Sequence, residues 1–256
     1  MKLNAWKEYL EELVDPDNID VASLKQKEQL NSDFWKSDKL NSKISEVLYS
    51  IAKEFFQSLK LDPEVRIDDV TLTGSLSSYN WPKVSDVDLH ILIDFKKLQD
   101  PDLVQDYFRQ KTSNWNHKHK ILIKGHEVEL YIQDSSEPHH ALGVYSIKED
   151  HWVQKPSKYN ARVDYESVKK KASDLMERID DIYENFTEKK YSKARKLADR
   201  LMDKIRNYRR SGLEKDGVYS VENLVFKTLR RNDYIKKLSS LRIMSYDKSR
   251  SINGGH

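Results

Sequence analysis

The spacing of apolar residues first predicts helices in the N-terminal part of the chain. Between residues 42 and 59 they recur at steps of three and four, which is typical of an amphipathic helix with Ser42 as its N-cap. Pro63 disfavours a helical conformation in the residue before it, so this helix is predicted to end before Pro63. Shorter helical patterns cover residues 5 to 13 and 100 to 115.

Three segments between these helices follow a different rule, because their apolar and polar residues alternate with period two. Such alternation predicts half-exposed β-strands, and the segments span residues 70–74, 86–95 and 120–134. Within the last one, Lys124 and Gly125 separate two alternating runs, which predicts a hairpin. Strands interspersed with helices indicate an α/β (α+β) domain with a small mixed sheet and flanking helices.

Beyond residue 164 the period is helical throughout. Three apolar stripes, within residues 168–186, 194–208 and 221–229, predict three helices, and Ser211-Gly212 is a predicted stop for the second. The segment 155–167 is the predicted junction. We therefore expect an α/β domain over residues 1–160, a helical domain over 161–250, and a disordered tail at 251–256.

Composition narrows the class of protein. A chain of 256 residues can bury a sizeable core in one large domain or two modest ones, and the absence of cysteine excludes disulfides, thiolate metal sites and cysteine nucleophiles. Apolar runs such as LHILI are far too short to span a membrane, and the first residues lack the apolar core of a signal peptide. We expect a soluble, cytoplasmic protein with no membrane partner.

Charge is distributed unevenly along the chain. Residues 164 to 256 hold 23 Lys and Arg against 15 Asp and Glu, whereas the preceding residues hold 22 against 27. A basic helical part is compatible with an anionic partner, but it is equally typical of solvated helix surface. The cations in question fall on the second predicted helix: Lys193, Arg195, Lys196, Arg200, Lys204, Arg206 and Arg209. The segment NWNHKHK at 114–120 mixes aromatic and basic residues and is predicted to be a loop. This loop would either bind nucleic acid or be solvated.

Asp86 and Asp88 are the first candidates for chemistry. Because strand side chains alternate, both should project to one side of the predicted strand, with their Cβ atoms roughly 6 to 7 Å apart. Two neighbouring carboxylates repel each other unless positive charge compensates, and a divalent metal supplies that charge. Magnesium prefers oxygen ligands and accepts substrate phosphates among them. This interpretation requires a third carboxylate and a phosphate-binding loop.

Both have candidates in the sequence. Glu129 lies between the apolar Val128 and Leu130, as a carboxylate on a buried strand would. Gly74 and Ser75 directly follow a predicted strand, where glycine permits close approach to a ligand and a hydroxyl with nearby amides can bind phosphate oxygens.

In this order, Gly74-Ser75, Asp86-x-Asp88 and Glu129 resemble the signature of the nucleotidyltransferase superfamily with the DNA polymerase β-like fold. The resemblance covers about residues 42 to 134. The segments SDVDLHILIDF and HEVELYIQD are also similar to uncharacterised nucleotidyltransferase-like proteins of phages and bacteria. A phage-encoded chain would act in the cytoplasm of its host.

The resemblance implies transfer of a nucleoside monophosphate from a nucleoside triphosphate, with ATP as the expected donor, to an acceptor with release of pyrophosphate. Asp86, Asp88 and Glu129 would bind Mg²⁺ or Mn²⁺, and Gly74 and Ser75 would hold the β and γ phosphates. The acceptor stays open among RNA or other nucleic acid, nucleotides, small molecules and protein hydroxyls. An alternative from another class is a catalytically inert module of the same fold that binds nucleic acid or a protein.

Overall fold

The computed structural model describes residues 19, 21–83, 85–98, 101–139, 141–160 and 162–252. The helix predicted over residues 5 to 13 and residues 253–256 of the predicted tail lie outside the described residues. The chain divides into two compact units. We call Ser23–Tyr159 the sheet unit, and the described residues from 160 onward the helical unit.

The sheet unit is built on six strands in the order β5-β6-β4-β3-β7-β8. Strands β4 and β6 run parallel, while the other neighbouring pairs are antiparallel. A separate two-stranded hairpin consists of β1 (Trp35–Lys36) and β2 (Lys39–Leu40). The remaining bounds are β3 (Asp69–Thr73), β4 (Val87–Ile93), β5 (Leu122–Ile123), β6 (His126–Asp134), β7 (Val144–Ser146) and β8 (His151–Gln154). The predicted mixed sheet of an α+β protein is confirmed at this level.

Strand β4 shows why the alternating segments fold as strands. Val87, Leu89 and Ile91 are fully buried, whereas Asp88 and His90 between them are half-buried. One face of the strand therefore enters the core and the other carries polar groups. The strand is shorter than the predicted span 86–95, since Asp94 turns the chain by accepting a hydrogen bond from the Lys96 amide.

The hairpin predicted at Lys124-Gly125 is confirmed. Both residues have positive φ, 53° and 84° respectively, as a tight turn that matches the twist of antiparallel strands requires. The turn joins β5 to β6 and sets their register, in which Ile123 faces His126.

Two helices accompany the sheet: α1 (Ser42–Ser58) and α2 (Pro101–Lys118). The side chain that caps α1 belongs to Asn41 rather than to the predicted Ser42, and it accepts a hydrogen bond from the Lys43 amide at 3.1 Å. Buried side chains of α1 pack on the apolar face of the sheet: Ile44, Leu48, Ala52 and Phe55. Helix α2 continues past its predicted end, so residues 114–118 are helical and not a loop.

The helical unit contains four helices in its described part, one more than predicted: α3 (Tyr165–Thr187), α4 (Tyr191–Asp216), α5 (Val221–Arg231) and α6 (Tyr234–Arg250). The predicted stop at Ser211-Gly212 is wrong. Gly212 lies inside α4. A Cβ at this position would lie 2.4 Å from the Cβ of Glu222, so glycine permits close packing of α5. Gly217, with φ of 71°, follows the helix instead.

Helix α6 is absent from the predicted elements for a physical reason. Its buried positions include Lys237 and Ser245, whereas Ile243 and Tyr246 are exposed, so the apolar stripe is broken. Lys237 is 3% exposed and donates to the Asp180 carboxylate at 2.5 Å, which compensates its buried charge. None of the described helices combines the length and the apolar character needed to cross a membrane.

Candidate functional site

The polar face of the sheet brings two of the predicted carboxylates together. Strands β4 and β6 are parallel neighbours, and Asp88 is the register partner of Glu129. On the other side of β4, Asp88 pairs with Thr73, the last residue of β3. Because adjacent strands lie about 4.8 Å apart, Asp88 and Glu129 stand side by side on one face.

Asp86 adds a third negative charge two residues before Asp88 in the sequence. It precedes β4 directly and is half-buried, as Asp88 is. The link is Tyr131, whose hydroxyl donates to Glu129 Oε2 at 2.5 Å. Burial raises the pKa of the Tyr131 phenol far above its ordinary value, and the hydrogen bond to Glu129 adds to the rise. The negative charges of Glu129, Asp88 and Asp86 raise this pKa further.

Gly74 supplies the space that Asp88 needs. Its φ is 74°, a conformation that favours glycine, and a Cβ at this position would lie 1.8 Å from Asp88 Oδ2. The Asp88 carboxylate therefore rests against the backbone of the turn that follows β3. Gly74 is predicted from the sequence as a phosphate-binding residue, and the structure places it directly beside the Asp88 carboxylate.

Ser75 is held by a network that ties the turn to the start of β4. Its hydroxyl and that of the buried Ser85 hydrogen-bond each other, and its carbonyl accepts from the Ser78 amide at 3.1 Å. The Ser85 carbonyl in turn lies 2.6 Å from His126 Nδ1, at the first residue of β6. These contacts fix the loop between β3 and β4 against both strands that carry carboxylates.

A cleft of about 500 Å³ opens between α2 and β6. The α2 side contributes three basic side chains, and the β6 side contributes two carboxylates and a phenol. Its lining residues are Arg109, Thr112, Ser113, Asn116, His117, Lys120, Glu127, Glu129 and Tyr131. Glu129 thus belongs both to the carboxylate group on the sheet and to this cleft.

Asn116 anchors α2 beside the cleft. Strand β5 pairs with β6 as far as Glu127, and the Val128 N–H donates to the Ile121 carbonyl at 2.9 Å, but Leu130 lies beyond this pairing on the outer edge of β6. The Asn116 amide group takes over this pairing: its Oδ1 accepts from the Leu130 N–H at 2.9 Å, and its Nδ2 donates to the Leu130 carbonyl at 3.1 Å. This bidentate contact fixes the register of the helix against the strand.

Apart from Glu129, the cleft residues are not among the site residues that the sequence predicts. Tyr131 lies two positions after Glu129 on an alternating strand, so period two was sufficient to place it on the same face. The α2 residues carried a weaker signal, since 114–120 was interpreted as a loop. Once the helix extends to Lys118, Arg109 and Asn116 fall on one helical face, and Lys120 follows two residues after the helix end.

His90 also faces this side of the sheet, where it packs as a structural residue. Its ring stacks on Tyr131 with centroids 4.9 Å apart, and its Nδ1 lies 3.0 Å from Gln133 Oε1. Burial lowers the pKa of the imidazole, although the contact with Gln133 opposes this shift. The neutral ring therefore adds packing rather than charge to the site.

The basic residues proposed on the second helix of the helical unit divide into two groups. Arg195 covers the Tyr246 ring at 4.4 Å, and Arg209 covers Phe226 at 4.2 Å, so both are engaged in packing within the unit. Burial lowers the pKa of Arg209. The others are exposed along α4: Lys193, Lys196, Arg200, Lys204 and Arg206.

Whether the carboxylates can bind a metal ion depends on the type and the spacing of the donor atoms. In the part of the chain that the structure describes, no group of three or more His, Asp or Glu side chains is arranged to hold a metal ion. The donors are nevertheless carboxylate oxygens, which Mg²⁺ and Mn²⁺ prefer. Magnesium commonly takes one or two protein carboxylates and completes its shell with waters and substrate phosphates. Asp88 and Glu129, as register partners, are two donors of this type.

In chemical terms, the sheet unit combines paired carboxylates, a glycine turn against one of them, and a cleft with cations on one wall. This combination suits a substrate that carries phosphates and hydroxyls. No protein-family model matches the chain, and neither a curated protein nor a solved structure does.

Proposed function

We propose that this protein is a metal-dependent nucleotidyltransferase of the polymerase β-like fold. It transfers a nucleoside monophosphate from a nucleoside triphosphate, with ATP as the expected donor, to a hydroxyl acceptor and releases pyrophosphate. The observation that carries the proposal is the register of Asp88 with Glu129 beside the glycine turn at Gly74. Neighbouring carboxylates supply the oxygen ligands that a divalent cation prefers.

Asp86, Asp88 and Glu129 would hold Mg²⁺ or Mn²⁺. Bound there with the triphosphate, the cation would offset the negative charge that develops on the transferred phosphoryl group. Gly74 and Ser75 would contact the phosphates of the donor. The Ser75 hydroxyl, which is hydrogen-bonded to Ser85, would be held in place to donate to a phosphate oxygen.

Glu129 would accept the proton of the acceptor hydroxyl. Tyr131 supports this role, because its neutral phenol donates to one Glu129 oxygen and so restrains the carboxylate. The raised pKa of Tyr131 keeps the phenol protonated across the neutral range, and the hydrogen bond therefore persists at working pH. Asp88, against Gly74, is restrained in the same way by close packing.

The test is a thermal melt with Mg²⁺, with a non-hydrolysable ATP analogue and with both. We expect the pair to stabilise the protein more than the sum of its parts, by about 2.7 kcal/mol at a hundredfold excess over the dissociation constant, or about 5 to 10 °C. Asp88→Asn and Glu129→Gln should remove this synergy. Glu137→Gln, in the exposed turn after β6, is the matched control and should keep it.

Activity is then measured with labelled triphosphates, Mg²⁺ and candidate acceptors, with the product mass determined. A melt without synergy in the wild-type protein would contradict the proposal and would favour an inert module that binds nucleic acid or a protein. Synergy that survives in both carboxylate variants would show that the cluster is structural.

A further inference from the structure

We infer that the cleft between α2 and β6 binds the acceptor, and that the acceptor is a sugar phosphate with a free hydroxyl. This inference rests on the proposed function and names the second substrate of the same site. Of the three carboxylates, Glu129 lines the cleft, whereas Asp86 and Asp88 are not among its lining residues. A ligand in the cleft would therefore meet the carboxylate group from the Glu129 side.

The strand order separates the two substrates. Asp88 stands on β4, with β3 and the turn at Gly74 on one side and Glu129 of β6 on the other. A triphosphate held at the Gly74 turn occupies the β3 side. In an in-line displacement the attacking and leaving oxygens lie on opposite sides of the phosphorus. The acceptor must then approach from the β6 side, where the cleft is.

In this arrangement every bond formed and broken, and the proton released, can be assigned to a named group. The acceptor hydroxyl oxygen forms a bond to the α-phosphorus, and the bond from that phosphorus to the bridging oxygen of the β-phosphate breaks. Pyrophosphate leaves with the electron pair, while the hydroxyl proton passes to the Glu129 carboxylate. No oxidant or further reactant is needed.

The two walls of the cleft indicate the chemistry of the acceptor. Arg109, His117 and Lys120 on the helix side suit a phosphate group, whereas the carboxylates on the strand side accept hydrogen bonds from sugar hydroxyls. The ion pair of Arg109 with Asp106, at 3.1 Å, is no obstacle, since both side chains are about 70% exposed and such pairs are weak. The volume of about 500 Å³ lies within the range of small-ligand sites.

The backbone of α2 is anchored beside the strand that carries Glu129. Arg109 and Asn116 lie on one face of α2, and the contacts of Asn116 with the Leu130 backbone attach this face to β6. Lys120 follows two residues after the end of the helix and lines the same cleft.

Calorimetric titration tests the inference, with the donor site saturated by Mg²⁺ and a non-hydrolysable ATP analogue. The probes are adenosine 5′-monophosphate, a short RNA with a free 3′-hydroxyl, and adenosine, which lacks the phosphate. We expect both phosphate-bearing probes to bind and adenosine to bind about tenfold more weakly or not at all. Tighter binding of the RNA than of the mononucleotide would identify a strand end as the source, and equal binding a free nucleotide.

Charge reversal locates the binding. Arg109→Glu and Lys120→Glu should each weaken the phosphate-bearing probes about tenfold. Lys118→Glu, an exposed cation of the same helix that does not line the cleft, should leave the affinity unchanged. All three variants should keep the joint stabilisation by Mg²⁺ and the ATP analogue, since none touches the donor side.

The outcomes separate this inference from the proposed function. If neither phosphate-bearing probe binds, or if Lys118→Glu weakens them as much as Lys120→Glu does, the inference is wrong while the donor-site synergy can still stand. If the probes bind as expected but the synergy is absent, the nucleotidyltransferase proposal fails and the acceptor role fails with it. Equal binding of adenosine would also overturn the phosphate assignment.

Discussion

At the scale of single residues, the site depends on a contact that only glycine allows. Gly74 has positive φ and lies against the Asp88 carboxylate, whereas Gly125 has a similar φ of 84° with nothing within 4 Å of its missing Cβ. The two positions therefore share the backbone requirement and differ in the contact. They form a matched pair for experiment.

We expect Gly125→Ala to cost about 1 kcal/mol from backbone strain alone, or about 2 to 4 °C in Tm. Gly74→Ala should cost more, because its methyl group collides with Asp88, and it should also abolish the joint stabilisation by Mg²⁺ and the ATP analogue. Thermal melts of both variants, with and without these ligands, measure the difference. Equal losses of stability in the two variants, with the ligand response retained, would show that the Gly74 contact is unimportant.

The residues of the site differ in how far the sequence predicts them. Alternation around Asp88 and Glu129 is sufficient to place both on a polar strand face, although their register comes from pairing between β4 and β6 and depends on the whole sheet. Gly74 was expected near a ligand, but its contact with Asp88 could not be read from a one-dimensional pattern. Tyr131 shares the same period, but a tyrosine on a strand usually packs against its neighbours, so the period alone does not mark it as a site residue.

At the scale of elements, the edge of β6 explains why α2 matters. Beyond Glu127, part of this edge lacks a strand partner, and Asn116 satisfies both backbone groups of Leu130 from the helix. A backbone donor and acceptor left unpaired would cost free energy and would loosen the cleft wall. The helix is thus part of the sheet's hydrogen bonding as well as its packing.

Asn116→Ala should lower the free energy of unfolding by about 2 kcal/mol, because the Leu130 N–H and carbonyl lose their partner. The Leu130 amide should also exchange its hydrogen faster, which NMR-detected exchange would measure beside chemical denaturation. Asn114→Ala, at an exposed position of the same helix, should change the stability by less than about 0.5 kcal/mol. If both substitutions act alike, the contact with Leu130 contributes little.

Elements were predictable where one rule governed a long segment. Helix α1 and strand β4 have unbroken apolar patterns that packing then uses directly. Helix α6 breaks its pattern with Lys237, whose charge is compensated by Asp180 on α3, a partner more than fifty residues away. Strands β7 and β8 contain only three and four residues, too few for a period to be recognised.

At the scale of the molecule, charge distinguishes the two units. The exposed cations of α4 recur at steps of three and four through Lys193, Lys196, Arg200 and Lys204, which places them on one face of the helix. Arg195 and Arg209, by contrast, are used within the helical unit for packing on aromatic rings. The exposed row is available to phosphates of a polymer, whereas the two packed arginines contribute to stability.

The exposed cations of α4 should give the protein a salt-dependent affinity for single-stranded RNA. Each phosphate neutralised on a single strand contributes a slope of about −0.7 to the plot of log affinity against log salt concentration. We expect single-stranded RNA to show a steep slope, and joint replacement of Lys196, Arg200 and Lys204 by Gln to reduce it by about 2. Arg206→Gln, a single exposed cation outside the row, is the control and should reduce it by less than about 1.

The measurement is fluorescence anisotropy of labelled RNA over a salt series. A slope that is unchanged in the triple variant would exclude the α4 row as an RNA contact, and flat binding in the wild-type protein would favour a free nucleotide as the acceptor.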